Sequence, residues 1–380
     1  MRKLSTFLAM MLIASLPLMA ATKITVKQLD EILAEQHKAG KSDQAVSVKL
    51  QDLQLTEMLS TDAMNNLTQY DPGPYTVTQI RVLELESAML PPPPSDIPAT
   101  AAPDAAAQAA IITKAVDYDT KQYAVLPKLS AEKQTIRYQD GVDYTVTNSG
   151  QGGSFAGGSL EVKPSSFYIR MVGQNTTAVQ SEGGMEVQPA KTKAVDPASQ
   201  NGQVSQGGAG MVLGAVLMDA AKGKITWLRW QFLNGKQVAV FEFAVDKKQS
   251  HYTINYCCFP ETSNIGAGHN GSGGNIGTPG TSVSYHPYTA KPGYHGELYI
   301  DPDTGEIVRL ITQAEMKPTD LVHFENVRTD YGPVDIGGKK MVVPVKVVIQ
   351  AEVVPNGDSY VKYSTRRTYF DVAYKNYELR

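Results

Sequence analysis

KITWLRWQFL (residues 224–233), NG (234–235), KQVAVFEFAV (236–245) and SHYTINYCCF (250–259) decide the fold of this chain. Ile225 and Trp227 in the first run, and Val238 and Val240 in the second, alternate with neighbours on the other face, and Asn-Gly between the runs favours the tight type I′ turn that joins antiparallel neighbours. The same grammar continues to the C-terminus. YHGELYI, DPDTG and EIVRLITQAEM form a second hairpin pattern. VHFENVRTDY, then GGKK after DYGPVDI, then MVVPVKVVIQAEVV form a third, and PNGD (355–358) leads into SYVKYSTRRTYFDV. KQVAVFEFAV and MVVPVKVVI are apolar on both faces, so each face needs a cover. Two covers are available in the chain: the N-terminal helices and the apolar stretch MVLGAVLMDAA (211–221).

Working towards the N-terminus, EKQTIRYQD and SSFYIRMVG read as strands, with NSGQGGSFAGGS as a loop between them. Residues 181–210 and 260–292 read as long Gly-rich loops. Before about residue 124 the period changes to that of helices. Leu29, Ile32 and Leu33 share a helical face, and Gly40 stops that helix. Residues 42–59 read as a second helix, with Ser42 as its cap and Ala45, Val48, Leu53 and Leu55 as its apolar positions. STDAMNNLTQY is a third, and Ile80, Leu83 and Leu85 mark a fourth. Pro91 to Pro94 end it, and Asp104 caps an Ala-rich helix that follows. The expected class is α+β: a helical region over 22–130, then one curved, half-barrel-like antiparallel sheet over 131–380. Residues 211–221 are expected as a covering helix on its concave side.

Residues 1–21 read as an export signal. Arg2 and Lys3 precede an apolar run, Pro17 breaks it, and Ala20 and Ala21 suit cleavage. The run is short of the roughly 20 apolar residues that a spanning helix needs, and no later stretch reads as one. The expected location is therefore the periplasm or the extracellular space. A net charge of −3 over 380 residues, with no basic stripe, disfavours nucleic acid as a partner.

No residue pattern singles out catalysis. GxSxG and HExxH are absent from the sequence. Glu297, Asp301, Asp303, Glu306 and Glu315 lie close together, but Asp301 and Asp303 belong to a turn, where carboxylates bond the local backbone. The histidines from His251 to His323 lack zinc spacing, so no metal and no cofactor are expected. Cys257 and Cys258 are the two cysteines. In an oxidising compartment they pair with each other as a reducible vicinal bond, or stay buried as two small apolar groups. The candidate ligand-contacting residues are the apolar and aromatic ones of the covering helix and first hairpin: Met211, Leu213, Leu217, Trp227, Trp230 and Phe241.

LPKLSAEKQTIRYQD, together with WLRW…YHGELYIDPDTGEIVRL…DYGPVDIGGKK, resembles a group of exported proteins of soil bacteria that has no assigned activity. GELYIDPDTGEIVRL is also similar to the outer-membrane lipoprotein carrier (LolA-like) fold, a curved half-barrel that holds acyl chains under a helical lid. That resemblance implies a lipid or lipoprotein as partner and no catalytic residue. The other function classes left open are an envelope structural or protein-interaction module, and a hydrolase whose residues the sequence does not mark.

Overall fold

A computed structural model describes residues 21–148, 160–187, 203–205, 209–220, 223–260, 285–353 and 366–380. Residues 1–20 of the expected signal segment and the PNGD turn lie outside the described residues.

The chain begins with β1 (Thr22–Ile24), α1 (Val26–Lys38), α2 (Asp43–Gln51), β2 (Leu53–Leu55), α3 (Thr61–Leu67), α4 (Pro74–Ser87) and α5 (Ala105–Tyr118). Short polar side chains start these helices. Thr25 and Gln28 form a reciprocal capping box on α1, and Ser42, Ser60 and Asp104 each accept a backbone N–H of their own helix. Gly73 has no side chain to cap α4. Asp43 of α2 does so instead, accepting the N–H groups of Tyr75 at 2.9 Å and Thr76 at 2.8 Å. The expected second helix is shorter than its apolar positions suggested. It ends at Gln51, and Leu53 and Leu55 alternate with exposed Gln54 in a strand that pairs parallel with β1. Period 2, not period 3.6, is what those two leucines carried. Val48 is exposed, while Val46 and Leu50 face the core.

The strands follow: β3 (Leu129–Asn148), β4 (Leu160–Glu182), β5 (Met185–Val187) and β6 (Gln203–Ser205), then α6 (Ala209–Ala220). After it come β7 (Lys224–Leu233), β8 (Lys236–Val245), β9 (Ile254–Pro260), β10 (Tyr285–Ala290), β11 (Gly293–Ile300), β12 (Ile307–Glu315), β13 (Val322–Ile336), β14 (Lys339–Val353) and β15 (Arg366–Leu379). Ten of them form one antiparallel sheet in the order β5-β4-β3-β15-β14-β13-β12-β11-β8-β7. Asn234 (φ 50°) and Gly235 (φ 74°) take the left-handed conformations that the β7–β8 turn requires. The fold is α+β, and the sheet is open and curved.

Three strands, β6, β9 and β10, lie apart from the single sheet expected. β9, which carries SHYTINYCCF, pairs with β6 and β10 in a separate three-stranded sheet, so β8 lies beside β11. β10 itself falls within the stretch expected to be loop. Its Tyr285, Tyr288 and Thr289 favour a strand, and Pro287 is tolerated because β10 is an edge.

Alternation places two covers on two faces. Val240, Tyr299, Ile311, Val348 and Tyr369 point to one face, where Met58 packs together with Val82 and Leu85 of α4 and Ala88 just after it. Their sequence neighbours Phe241, Leu298, Ile300 and Leu310 point to the other, against α5 and α6. Val347 and Phe370 also lie on that second face, under Tyr256 and Tyr288 of the small sheet.

α4 docks through charge as well. Glu84 is buried and bonds Lys346 and Arg81. Burial pushes its carboxyl up, but Lys346, Arg81 and Arg328 outweigh this, so its pKa lies below the ordinary value. Glu86 has no such compensation. Burial raises its pKa to about 7, against a weaker opposing pull from Arg367. A carboxyl with a raised folded-state pKa contributes most below its unfolded value of 4.5, and the contribution is lost as pH rises through about 7. Glu86→Gln is therefore expected to be neutral at pH 4–5 and to stabilise by roughly 2 kcal/mol at pH 8. Thermal melts of both proteins across that range check this; an equal effect at both ends would contradict it.

Candidate functional site

The site is the face of the sheet that carries Phe241. α6 touches β8 and β14, and also β5, the strand that ends the opposite side of the sheet. β5 and β8 are eight strand steps apart, about 38 Å if the sheet were flat. A helix of 12 residues spans only about 18 Å. The sheet must therefore curl until its two sides approach one another, and α6 lies inside the curl. Register shifts in β3–β4, β7–β8, β11–β12 and β13–β14 supply local bends of the kind that curl sheets.

Inside the curl, Leu213, Val216 and Ala220 of α6 are buried against Phe241, Phe243, Tyr294 and Leu298, with α5 beside them through Ile111 and Ala115. Leu217 is partly buried in the same cluster, and Met218 is half exposed. Trp227 meets Phe241 edge-on at 5.3 Å between centroids and Trp230 at 4.9 Å. The Trp230 indole donates to the Ala101 carbonyl at 2.9 Å, so the linker before α5 closes that end. The structure thus brings Leu213, Leu217, Trp227, Trp230 and Phe241 into one cluster. Met211 lies in α6, and its side chain is outside the described residues.

A cavity of about 30 Å³ opens further along the same face. Leu126, Ala131, Val179, Val343, Tyr374 and Tyr377 form most of its wall, and Glu186 is its charged member. Glu186 accepts from Lys133 at 3.2 Å and from the Tyr374 hydroxyl at 3.1 Å. This volume holds a water molecule or two, far below the several hundred Å³ of a small-molecule pocket.

One polar group interrupts the apolar plug. Asp219, near the C-terminal end of α6, is fully buried. It accepts from the His251 backbone N–H at 2.7 Å, from the Tyr294 hydroxyl at 2.9 Å, and bonds the His251 ring Nδ1 at 2.5 Å. Burial pushes the Tyr294 hydroxyl pKa up, and the bond to Asp219 pushes it further. Sequence reading passed over Asp219 because the helix around it is apolar; the signal was that lone carboxylate.

The remaining candidates have separate places. The backbone of Cys257 and Cys258 forms a bulge in β9: Phe259 and Tyr256 pair with His286 and Tyr288, so two residues oppose the single Pro287. Their side chains lie outside the described residues. Glu297 is held by Arg229 at 2.7 Å. Asp301 accepts the N–H groups of Asp303 and Thr304 in its turn and pairs with Lys236. His295 and His323 stand 3.6 Å from Glu315 and Glu352. Among the described residues no three metal-ligating side chains converge, and no helix is long and apolar enough to cross a membrane.

These features define a class: an α+β protein with an open antiparallel sheet curled around a helical plug. No family model matches the chain, and no curated protein does. Among solved structures, a LolA superfamily protein from Nitrosomonas europaea is a weak neighbour. It has 10% sequence identity, with 72% of this chain and 93% of that one covered, at a TM-score of 0.20. At that TM-score the likeness does not bear on function.

Proposed function

We propose that the protein is an exported, non-catalytic module that binds an apolar ligand, a lipid or the acyl chain of a lipoprotein, inside the curled sheet. The observation that carries this reading is the placement of α6. An amphiphile needs a concave apolar surface, and the curled face that α6 covers is one. Among its described side chains, Leu213, Val216, Asp219 and Ala220 are buried. Leu213 and Val216 each contribute roughly 2 kcal/mol by burial, a hold that a ligand burying similar area replaces. Moving α6 aside uncovers Phe241, Tyr294 and Leu298, with Trp227 and Trp230 at the rim.

Titration with 11-(dansylamino)undecanoic acid tests the proposal. Wild-type protein is expected to bind it saturably, with a blue shift and transfer from tryptophan. Leu217→Asp, which weakens the contact between helix and sheet, is expected to open α6 and tighten uptake several-fold while strand circular dichroism persists. Wild-type protein that binds no probe would remove the carrier reading. Cooperative loss of the whole fold in the variant would make α6 core and not cover.

A protein-interaction role has one observation of its own. β5 pairs with only Gln180, Ser181 and Glu182 of the 23-residue strand β4, and no other described strand covers that edge. Met171 and Val172 are exposed there, as on edges that accept a further strand. Export itself is expected to remove about the first 20 residues. N-terminal sequencing of the envelope fraction checks it, and Met1 retained in a cytosolic pool would contradict it.

A further inference from the structure

We infer that Asp219, His251 and Tyr294 form a latch that holds α6 shut over the concave face. The inference rests on the ligand-binding reading for its purpose, but not for its geometry.

Asp219 is in the wrong place for helix stability. A carboxylate near a helix C-terminus opposes the helix dipole, and a fully buried one must recover its lost hydration from hydrogen bonds. A leucine at this position would satisfy the packing at no such cost. What the carboxylate provides is three contacts that α6 cannot make for itself. The His251 backbone N–H, the His251 ring and the Tyr294 hydroxyl converge on its two oxygens, at 2.7, 2.5 and 2.9 Å.

Those partners come from two different places. His251 lies in the connection from β8 to β9, and Tyr294 lies in β11. The carboxylate therefore ties α6 to the main sheet and to the chain that leaves it for the small sheet. Every other described side chain of α6 is apolar, so this is the helix's one directional attachment among the described residues. Apolar contacts tolerate sliding and exchange for a ligand's methylenes. Charge-assisted hydrogen bonds are lost all at once when the geometry opens. That combination makes a two-state cover: closed with three bonds made, open with all three exchanged for water. The His251 ring is half exposed, so water and a partner surface reach the latch from outside while Asp219 stays dry.

The latch also sets the apparent affinity. A ligand that binds only the open state has its affinity reduced by the fraction of molecules that are open. Weakening the latch should therefore tighten probe binding, whereas damage to the binding face should weaken it.

Hydrogen exchange by mass spectrometry on the full chain tests this, with wild type, Asp219→Asn and the milder Tyr294→Phe. Amides of α6 are expected to exchange at least tenfold faster in Asp219→Asn and a few-fold faster in Tyr294→Phe. Amides of β11 to β14 should be unchanged. Dansylundecanoate should bind Asp219→Asn several-fold more tightly than wild type. Exchange of α6 within twofold of wild type in both variants would overturn the latch. So would equal loss of protection in α6 and the sheet, which would make Asp219 a core residue of the whole domain. Selective opening of α6 with no probe bound by any of the three proteins would uphold the latch and remove the ligand reading.

Discussion

Asp330→Ala is expected to lose about 3–5 kcal/mol of stability, the range for removing one partner of a buried ion pair. Asp330 sits between two buried guanidinium groups. The Arg309 Nε is 2.5 Å from Oδ1, and the Arg328 Nη2 is 3.4 Å from Oδ2. Both arginines are almost fully buried. Arg328 depends on this neighbour more than its distance suggests, because its Nε and Nη1 have no hydrogen-bond partner among the described residues. Burial pushes the Asp330 carboxyl up, but Arg309 and then Arg328 outweigh it and bring its pKa down to about 2. A lowered folded-state pKa contributes stability above the unfolded value of 3.8, lost as pH falls through about 2. Wild-type protein should thus lose stability steeply between pH 4 and pH 2, and Asp330→Ala should lack that part of the slope. Urea melts at pH 7 and pH 3 read both effects. A loss below about 1 kcal/mol at pH 7 would show that the arginines are hydrated rather than paired.

Gly296→Ala is expected to cost about 3 kcal/mol, the upper part of the range for overpacking. A Cβ at residue 296 would collide with the carbonyl oxygen of Ile311 on β12 and stand 3.0 Å from the ring tip of Phe243. Phe243 is directly opposite on β8, and its ring covers the bare backbone, as aromatic residues do for strand glycines. The clash is with backbone, so side-chain rotation does not relieve it. The variant should melt well below wild type. Adding Phe243→Leu should recover only the part that comes from the ring; full recovery would locate the whole clash there.

The hairpins were legible because their determinants are local. Asn234-Gly235, the Asp301 turn and Gly337-Gly338 each specify a tight reversal, and alternation in KQVAVFEFAV marked both faces for burial. Ser42 and Asp104 announced helix starts through short-range hydrogen bonds. What sequence reading missed is non-local. Nothing within SHYTINYCCF says that its partners are β6 and β10 rather than β8, since period 2 marks a strand without naming its sheet. Leu53 and Leu55 suited a helix or a strand until β1 supplied the pairing. At the candidate site, Trp227 and Phe241 stand opposite each other across a readable hairpin, but Trp230 joins them only through the register shift between Trp227 and Arg229, which alternation alone does not show. Asp219 was not, because its meaning depends on His251 and Tyr294, 32 and 75 positions away.

Native mass spectrometry of wild-type protein, purified without denaturant from the host that makes it, tests the central claim most directly. The account predicts a one-to-one adduct with the mass of a lipid or acylated species, which dissociates on activation. Bare protein mass alone, both as purified and after incubation with lipid vesicles, would contradict it.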